Sequence, residues 1–131
     1  MSEPTLPRPT DAELGILRVL WERGPSTVRE VHEALNKDEE GTGYTTVLKL
    51  MQIMTEKGLV KRDESQRAHV YSARATQQKT QRQLVTDLLD RAFGGSPARL
   101  AMQALSTKKA SAEELAELRK LLDTLEGEET P

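Results

Sequence analysis

The chain has 131 residues, 31% of them charged, and a formal net charge of −2, as expected for one small soluble domain or a small domain with an oligomerisation arm. It contains no cysteine, which excludes disulfides, thiolate metal sites and cysteine nucleophiles and fits a reducing cytoplasm. No stretch of about 18 apolar residues is present and the N-terminus has no apolar core, so we expect neither a transmembrane helix nor a signal peptide.

The chain begins with an arm and a helix. Residues 1–9 contain three prolines, which predicts a flexible arm. Thr10 and Glu13 stand at capping-box spacing, in which each side chain satisfies a backbone N–H near the start of a helix. Gly24-Pro25 predicts that this first helix ends at about Arg23. Its apolar stripe at helical period consists of Leu14, Leu17, Leu20 and Trp21.

A second, shorter helix is predicted next, with Ser26 as its N-cap. Its apolar stripe consists of Val28, Val31 and Leu35. His32 lies beside this stripe and is interpreted as a half-buried packing residue. Residues 36–43 are polar and include two glycines, so we expect a loop there.

A third helix is predicted from about Tyr44 to Lys57, with Gly58 as its C-terminal stop. Val47, Leu50, Met51 and Met54 recur at the spacing of a core-facing stripe. At 100° per residue, the opposite face carries Thr45, Lys49, Gln52 and Glu56.

Two strands follow, and we expect them to form a hairpin that packs on the helices, because an isolated hairpin is marginally stable in water. The first strand is predicted over residues 59–63 and the second over residues 67–73, joined by residues 64–66. Alternation along the second strand places Arg67, His69 and Tyr71 on one face.

The remainder is predicted to be helical from Thr76. One helix ends near Phe93, where Gly94-Gly95 breaks it, and Ser96-Pro97 starts the next with a cap and an N1 proline. Ser111 and Glu114 form a second capping box, and the leucines after it are spaced as in a coiled coil. After Glu126 an acidic, frayed tail is expected.

Three short helices followed by a two-stranded hairpin is the order of a winged helix-turn-helix. The predicted fold class is therefore mainly α with a small β-hairpin wing, followed by a C-terminal helical dimerisation segment. The outward face of the third helix lacks large apolar groups and fits the major groove of B-DNA, which is about 12 Å wide. Basic residues in the hairpin would meet the neighbouring DNA backbone. The candidate DNA-binding residues are Thr42, Tyr44, Thr45, Thr46, Lys49, Gln52, Lys61, Arg62, Arg67 and His69.

The C-terminal leucine stripes have too few residues to build a separate core, so burial against a second copy of the chain is the expected solution. The candidate dimerisation residues are Leu84, Leu88, Leu89, Leu115, Leu118, Leu122 and Leu125. The predicted layout is an arm at residues 1–9, a winged helix at 10–75, a dimerisation domain at 76–126 and an acidic tail at 127–131.

Several short stretches together resemble the BlaI/MecI group of penicillinase repressors. They are residues 10–14, 19–21, 44–47, 56–60 and 69–71, which read TDAEL, VLW, YTTV, EKGLV and HVY. The resemblance covers roughly residues 9–125. It implies a homodimer that binds double-stranded DNA at a palindromic operator and represses transcription. It also implies relief of repression through a membrane-bound sensor metallopeptidase that triggers cleavage in the C-terminal clasp.

Two departures from this group bear on regulation. Well-studied members are cut at an Asn-Phe bond in the clasp, whereas residues 101–105 read AMQAL here, which speaks against cleavage at the same bond. The break at residues 93–95 is interpreted first as a plain helix-breaking turn, with an exposed hinge that could be cut as the alternative. Copper-responsive relatives use C-terminal cysteines, which this chain lacks, so direct copper sensing is not expected.

Other functions compete with repression as interpretations of this sequence. A winged helix that binds proteins and not DNA is the main alternative, and it would expose apolar anchors on its third helix. An enzyme is disfavoured, because neither His32 nor His69 belongs to a catalytic or metal-binding pattern and no phosphate-binding loop is present. We therefore expect no cofactor and no metal, and direct tuning of a repressor by a small metabolite or a metal is a lesser alternative, because no His-Asp-Glu cluster has convincing ligand spacing.

Overall fold

The computed structural model describes residues 7–37 and 41–129. Within these ranges, the chain forms helices and one two-stranded antiparallel sheet, which confirms the predicted mainly α fold with a β-hairpin wing and further helices after it. The helices are α1 Asp11–Arg23, α2 Val28–Leu35, α3 Tyr44–Lys57, α4 Gln77–Ala92, α5 Pro97–Thr107 and α6 Ala112–Glu129. The strands are β1 Val60–Asp63 and β2 Val70–Ala73.

The start of α1 follows the prediction. The backbone N–H of Glu13 donates to the Thr10 hydroxyl at 3.2 Å, and the backbone N–H of Thr10 donates to the Glu13 carboxylate at 2.9 Å. The helix ends at Arg23, and the N–H of Gly24 caps the carbonyl of Leu20. Of the predicted N-terminal arm, residues 1–6 lie outside the described residues.

The predicted cap of α2 was wrong by one residue. Thr27, not Ser26, is the N-cap, and it forms a capping box with Glu30. Ser26 is buried and pairs with β2: its N–H donates to the carbonyl of Tyr71 at 2.9 Å, and the N–H of Tyr71 donates back at 2.8 Å. The segment between α1 and α2 is therefore held against the hairpin, and the Ser26 hydroxyl donates to the carbonyl of Gly24 at 2.9 Å.

The hairpin is shorter than predicted. Each strand has four residues, and the connection spans residues 64–69. Arg67 and His69 therefore lie in the connection and not on the second strand. Tyr71 is 2% exposed and packs in the core, whereas Arg67 and His69 are exposed, although all three line one cleft. The bridge to Ser26 explains the burial of Tyr71, because it draws β2 against the helices.

A single apolar core holds α1, α2, α3 and the hairpin together. In α3, Val47, Met51 and Met54 are fully buried and Leu50 is partly buried, as the helical period predicts. Gly58 ends α3 in the left-handed conformation at φ 86°. The buried apolar residues are Ile16, Leu17, Leu20, Val28, Val31, Val47, Met51, Met54, Leu59, Val60 and Tyr71.

The chain divides into two compact units, one containing the described residues up to Thr86 and the other beginning at Asp87. The N-terminal unit thus includes the first part of α4, where Thr80 is buried. The predicted domain boundary at residues 75/76 stays a prediction.

The C-terminal unit contains the end of α4, with α5 and α6. Ser96 caps α5, and Ser111 and Glu114 cap α6 reciprocally at 3.0 Å. The helix α6 continues to Glu129, beyond the expected start of a frayed tail at residue 127, since glutamate is a good helix former. No helix within residues 7–37 or 41–129 is both long and apolar enough to cross a lipid bilayer.

Candidate nucleic-acid interface

The outward face of α3 is polar and open to solvent. Thr45, Thr46, Lys49 and Gln52 are all exposed, while the opposite side of the helix is locked in the core. Hydroxyl and amide groups can hydrogen-bond base edges, and a lysine can reach guanine or phosphate. The structure thus places these four predicted residues together on one rigid, unobstructed helix face.

One apolar residue on this face was missed by the sequence reasoning. Ile53 is 36% exposed and follows Gln52 on the side of α3 that carries Lys49. The 100° spacing that identified its neighbours could also have found it. A single aliphatic group among polar ones suits contact with a thymine methyl and falls short of the cluster of apolar anchors that a protein-binding face requires.

The start of α3 lacks a side-chain cap. Its N-cap is Gly43, which makes no side-chain hydrogen bond to the first turn, whereas Thr10 and Thr27 cap α1 and α2. Tyr44, the first residue of α3, is 47% exposed. Uncapped amide groups at a helix start favour an anion such as a phosphate.

The start of α3 is braced against α2. The amide nitrogen of Asn36 donates to the carbonyl of His32 at 2.7 Å and to the carbonyl of Thr42 at 3.1 Å. The rings of His32 and Tyr44 meet edge to face, with centroids 5.7 Å apart. His32 is half-buried, as predicted. These contacts orient Thr42 and Tyr44 relative to the exposed face of α3.

A cleft of about 380 Å³ lies between the hairpin connection and the starts of α2 and α3. Arg67 and His69 line it from the connection, and Arg29 and Tyr44 line it from the helices. Arg29 is 82% exposed at its side chain and lies 3.8 Å from Glu33. Sequence reasoning missed Arg29, because only the folded chain brings α2 opposite the hairpin connection.

The two basic residues of β1 differ in their surroundings. Lys61 is exposed. The guanidinium of Arg62 lies 2.6 Å from the carboxylate of Glu64, and hydrogen bonds to Tyr71 and Glu64 raise the pKa of Arg62. Because Glu64 balances much of this charge, Arg62 braces the hairpin and is a weaker candidate for phosphate contact than Arg67.

The connection itself is shaped by a local turn. The carboxylate of Asp63 accepts a hydrogen bond from the backbone N–H of Ser65 at 2.9 Å, and this bond lowers the pKa of Asp63. Such a side-chain-to-backbone bond two residues ahead is a common turn device for aspartate. This hydrogen bond defines the turn at the end of β1, from which the connection continues to Arg67.

The far end of α3 is held by an ion pair. The ammonium of Lys57 lies 2.7 Å from the carboxylate of Glu13, which is 3% exposed at its side chain, and it also contacts the carbonyl of Arg8 at 3.4 Å. Burial alone would raise the pKa of Glu13, but hydrogen bonds from Lys57 and Thr10 outweigh it and hold that pKa below its ordinary value.

The C-terminal unit exposes much of its apolar surface. None of residues 87–128 is buried. Among the predicted dimerisation residues, Leu84, Leu89 and Leu115 are half-buried, and the others are exposed. The exposed large apolar residues of this unit are Leu88, Met102, Leu105, Leu118, Leu121, Leu122 and Leu125. Met102, Leu105 and Leu121 were not predicted; Leu121 shares α6 with four predicted leucines, whereas Met102 and Leu105 lie on α5, which carries none of the predicted residues.

Comparisons with known proteins give the family of the chain and a structural relative of its fold. The family model described as "Penicillinase repressor" matches residues 9–124. The "Transcriptional regulator BlaI" of Mycobacterium tuberculosis, in strains CDC 1551 / Oshkosh and H37Rv, is 34% identical over 123 residues, which cover 93% of this chain and 88% of that protein. The solution structure of the DNA binding domain of the repressor BlaI matches with a TM-score of 0.50 and 22% identity, over 59% of this chain and 93% of that one. This last likeness concerns the fold.

Proposed function

The chain belongs to the penicillinase repressor family, and from that premise we propose that it is a transcriptional repressor that binds a two-fold symmetric DNA operator as a homodimer. Members of this family are transcriptional regulators and not enzymes.

The observation that carries the proposal is the polar, exposed face of α3. A helix of this kind fits the major groove, where threonine hydroxyls and the Gln52 amide would contact base edges. Lys49 would reach guanine or phosphate. The buried residues Val47 and Met51 hold this helix rigidly, so its outward groups are presented in one fixed register.

The cleft beside α3 suits the DNA backbone. Arg29 and Arg67 stand at its two sides, and Tyr44 lines it at the uncapped start of α3. A phosphate in this cleft would meet cations from both sides and amide groups from the helix start. His69 and the exposed Lys61 would contact the backbone further along the hairpin.

The exposed leucines of α5 and α6 support the dimer. A unit with no buried residue of its own gains its apolar burial from a second chain. Pairing two winged helices would also convert two weak half-site contacts into one strong interaction, since the second half-site binds at high effective concentration.

Relief of repression is proposed to follow loss of this C-terminal pairing, by cleavage or by dissociation. Gly94 and Gly95 separate α4 from α5, and both have positive φ, which marks a tight break in the helical segment. A membrane-bound sensor metallopeptidase as the trigger stays a prediction from the family resemblance, and so does a cytoplasmic location.

Selection from a random double-stranded DNA library tests the proposal directly. The full chain should enrich a two-fold symmetric sequence whose half-site centres lie about one helical turn apart or slightly more. Affinity for that sequence should fall steeply with salt. Recovery of no preferred sequence would contradict the proposal.

A further inference from the structure

The N-terminal unit contains a second cavity, away from the polar face of α3. Its volume is about 150 Å³. All described residues that line it belong to this unit. Apolar walls come from the arm, α1, the hairpin and α4, through Pro7, Pro9, Leu17, Leu59, Ala75 and Leu84. Leu84, which the sequence suggested for dimerisation, thus faces a space inside its own unit.

The polar groups around this cavity are cationic or neutral. Arg8, Arg74, Thr80 and Gln83 contribute to the wall, and none of the described lining residues is acidic. The buried carboxylate of Glu13 on α1 is already engaged by Lys57 and Thr10. A partly apolar space with arginine at its wall favours an anion with an apolar body.

Arg74 is the group best placed to hold such an anion. Its backbone N–H donates to the carbonyl of Leu59 at 3.0 Å, which fixes its position beside the start of β1. Its side chain is solvent-exposed, and no described carboxylate lies within ion-pair distance of it. The guanidinium therefore has its full capacity to pair with a ligand carboxylate.

The cavity is lined by residues at the end of α3 and in the segments that follow the hairpin. Gly58, the C-cap of α3, lines it, and so does Ala75, just beyond β2. Thr80 lines it from α4. A ligand bound here would contact the end of α3, the end of the hairpin and the first part of α4 at once.

We propose that this cavity is an effector site for a small organic carboxylate with an apolar body of about six to ten non-hydrogen atoms. A cavity of about 150 Å³ holds a benzene-sized molecule, and Arg74 supplies the charged hydrogen bonds for the carboxylate. The effect of such a ligand on operator binding rests on the proposed function, whereas its binding to the cavity does not.

Benzoate is a suitable probe, and Trp21 is a built-in reporter. The indole N–H of Trp21, the single tryptophan, donates to the carbonyl of Ala75 at 3.0 Å. In an NMR titration of the full chain, benzoate should shift this indole signal and the amides of Gly58 and Leu59, with saturation. Benzamide, which has the same shape without the charge, should bind at least tenfold more weakly.

Variants assign the effect to Arg74. Arg74→Gln should abolish the preference for benzoate over benzamide. Arg18→Gln, which removes an exposed arginine of α1 that does not line the cavity, should leave it unchanged. Equal binding of the two probes by the natural chain, or saturable shifts confined to other residues, would overturn the site.

A second measurement decides the regulatory role. Saturating benzoate should change the affinity for the selected operator at least threefold in the natural chain and leave Arg74→Gln unaffected. Unchanged operator affinity at saturation would refute the effector role. If the chain selects no DNA, the proposed function fails, and the benzoate titration still decides whether the site exists.

Discussion

Lys57 and Glu13, 44 positions apart in sequence, form an ion pair with 2.7 Å between Nζ and Oε1. The same carboxylate oxygen accepts the backbone N–H of Thr10 at 2.9 Å. One carboxylate therefore caps α1 and fastens the last turn of α3 to it. The orientation of the proposed reading helix depends on this contact at its C-terminal end.

We expect Glu13→Gln to lower the free energy of unfolding by about 1–3 kcal/mol at pH 7, because the amide oxygen accepts the same hydrogen bonds without the negative charge that strengthens them and pairs with Lys57. The pKa of Glu13 is lowered in the folded state, so its ionised form stabilises the fold above its ordinary pKa of 4.5. That stabilisation disappears as the pH falls through the lower, folded-state pKa. Urea unfolding at fixed protein concentration should thus show a gap between the two proteins that shrinks as the pH falls below about 4.5. A gap independent of pH would contradict this account.

Arg67→Ala should weaken binding to all DNA sequences alike and reduce the slope of log affinity against log salt concentration by about 1, because one phosphate contact is lost. Affinities measured between about 50 and 200 mM salt give this slope. Arg18→Ala removes the same charge from α1 and should leave the slope unchanged. A change in base preference without a change in slope would show that Arg67 does not contact phosphate.

Thr46→Ala and Gln52→Ala should each relax sequence choice at the base pair that the side chain contacts, at a cost of about 1–3 kcal/mol there. Affinity for non-specific DNA should change little, since neither residue carries a charge. Binding profiles over all single-base variants of the operator measure this. Gln78→Ala, at an exposed position of α4, is the matched control. Unaltered profiles for both test variants would exclude α3 as the reading helix.

Replacing Leu118 and Leu122 together with aspartate should give monomers and much weaker operator binding, because charges would enter the proposed dimer interface. Sedimentation measures the oligomeric state. A control pair, Ala116→Asp with Lys120→Asp, places charges on the other side of α6 at 100° per residue and should leave the dimer intact. Persistence of the dimer in the leucine variant would place the interface elsewhere, with Leu88 the next candidate.

The helical parts of the fold followed from local patterns. The apolar period and the capping boxes at Thr10 and Ser111 depend on residues three to four positions apart, so the sequence alone reveals them. The cap at Thr27 was also readable, because Glu30 stands three residues after it, and Ser26 has no such partner.

The hairpin was less predictable than the helices, because its geometry depends on contacts between residues that are distant in sequence. Alternation shows which residues share a face of a strand, but not which face is buried. The pairing of Ser26 with Tyr71 decides that. For the same reason, the outward face of α3 was predicted from its period, while the cleft between Arg29 and Arg67 required the folded chain.

Gly43 gives α3 no side-chain cap, and this leaves backbone N–H groups of its first turn without a side-chain partner. A serine or aspartate there would accept hydrogen bonds from the first amide groups of α3 and would stabilise the helix by roughly a few tenths of a kcal/mol relative to glycine. It would also occupy the donors that a nucleic-acid phosphate would otherwise accept from. In the proposed complex, a phosphate of the DNA backbone would complete the hydrogen bonding of this first turn, which the free protein leaves without a side-chain cap.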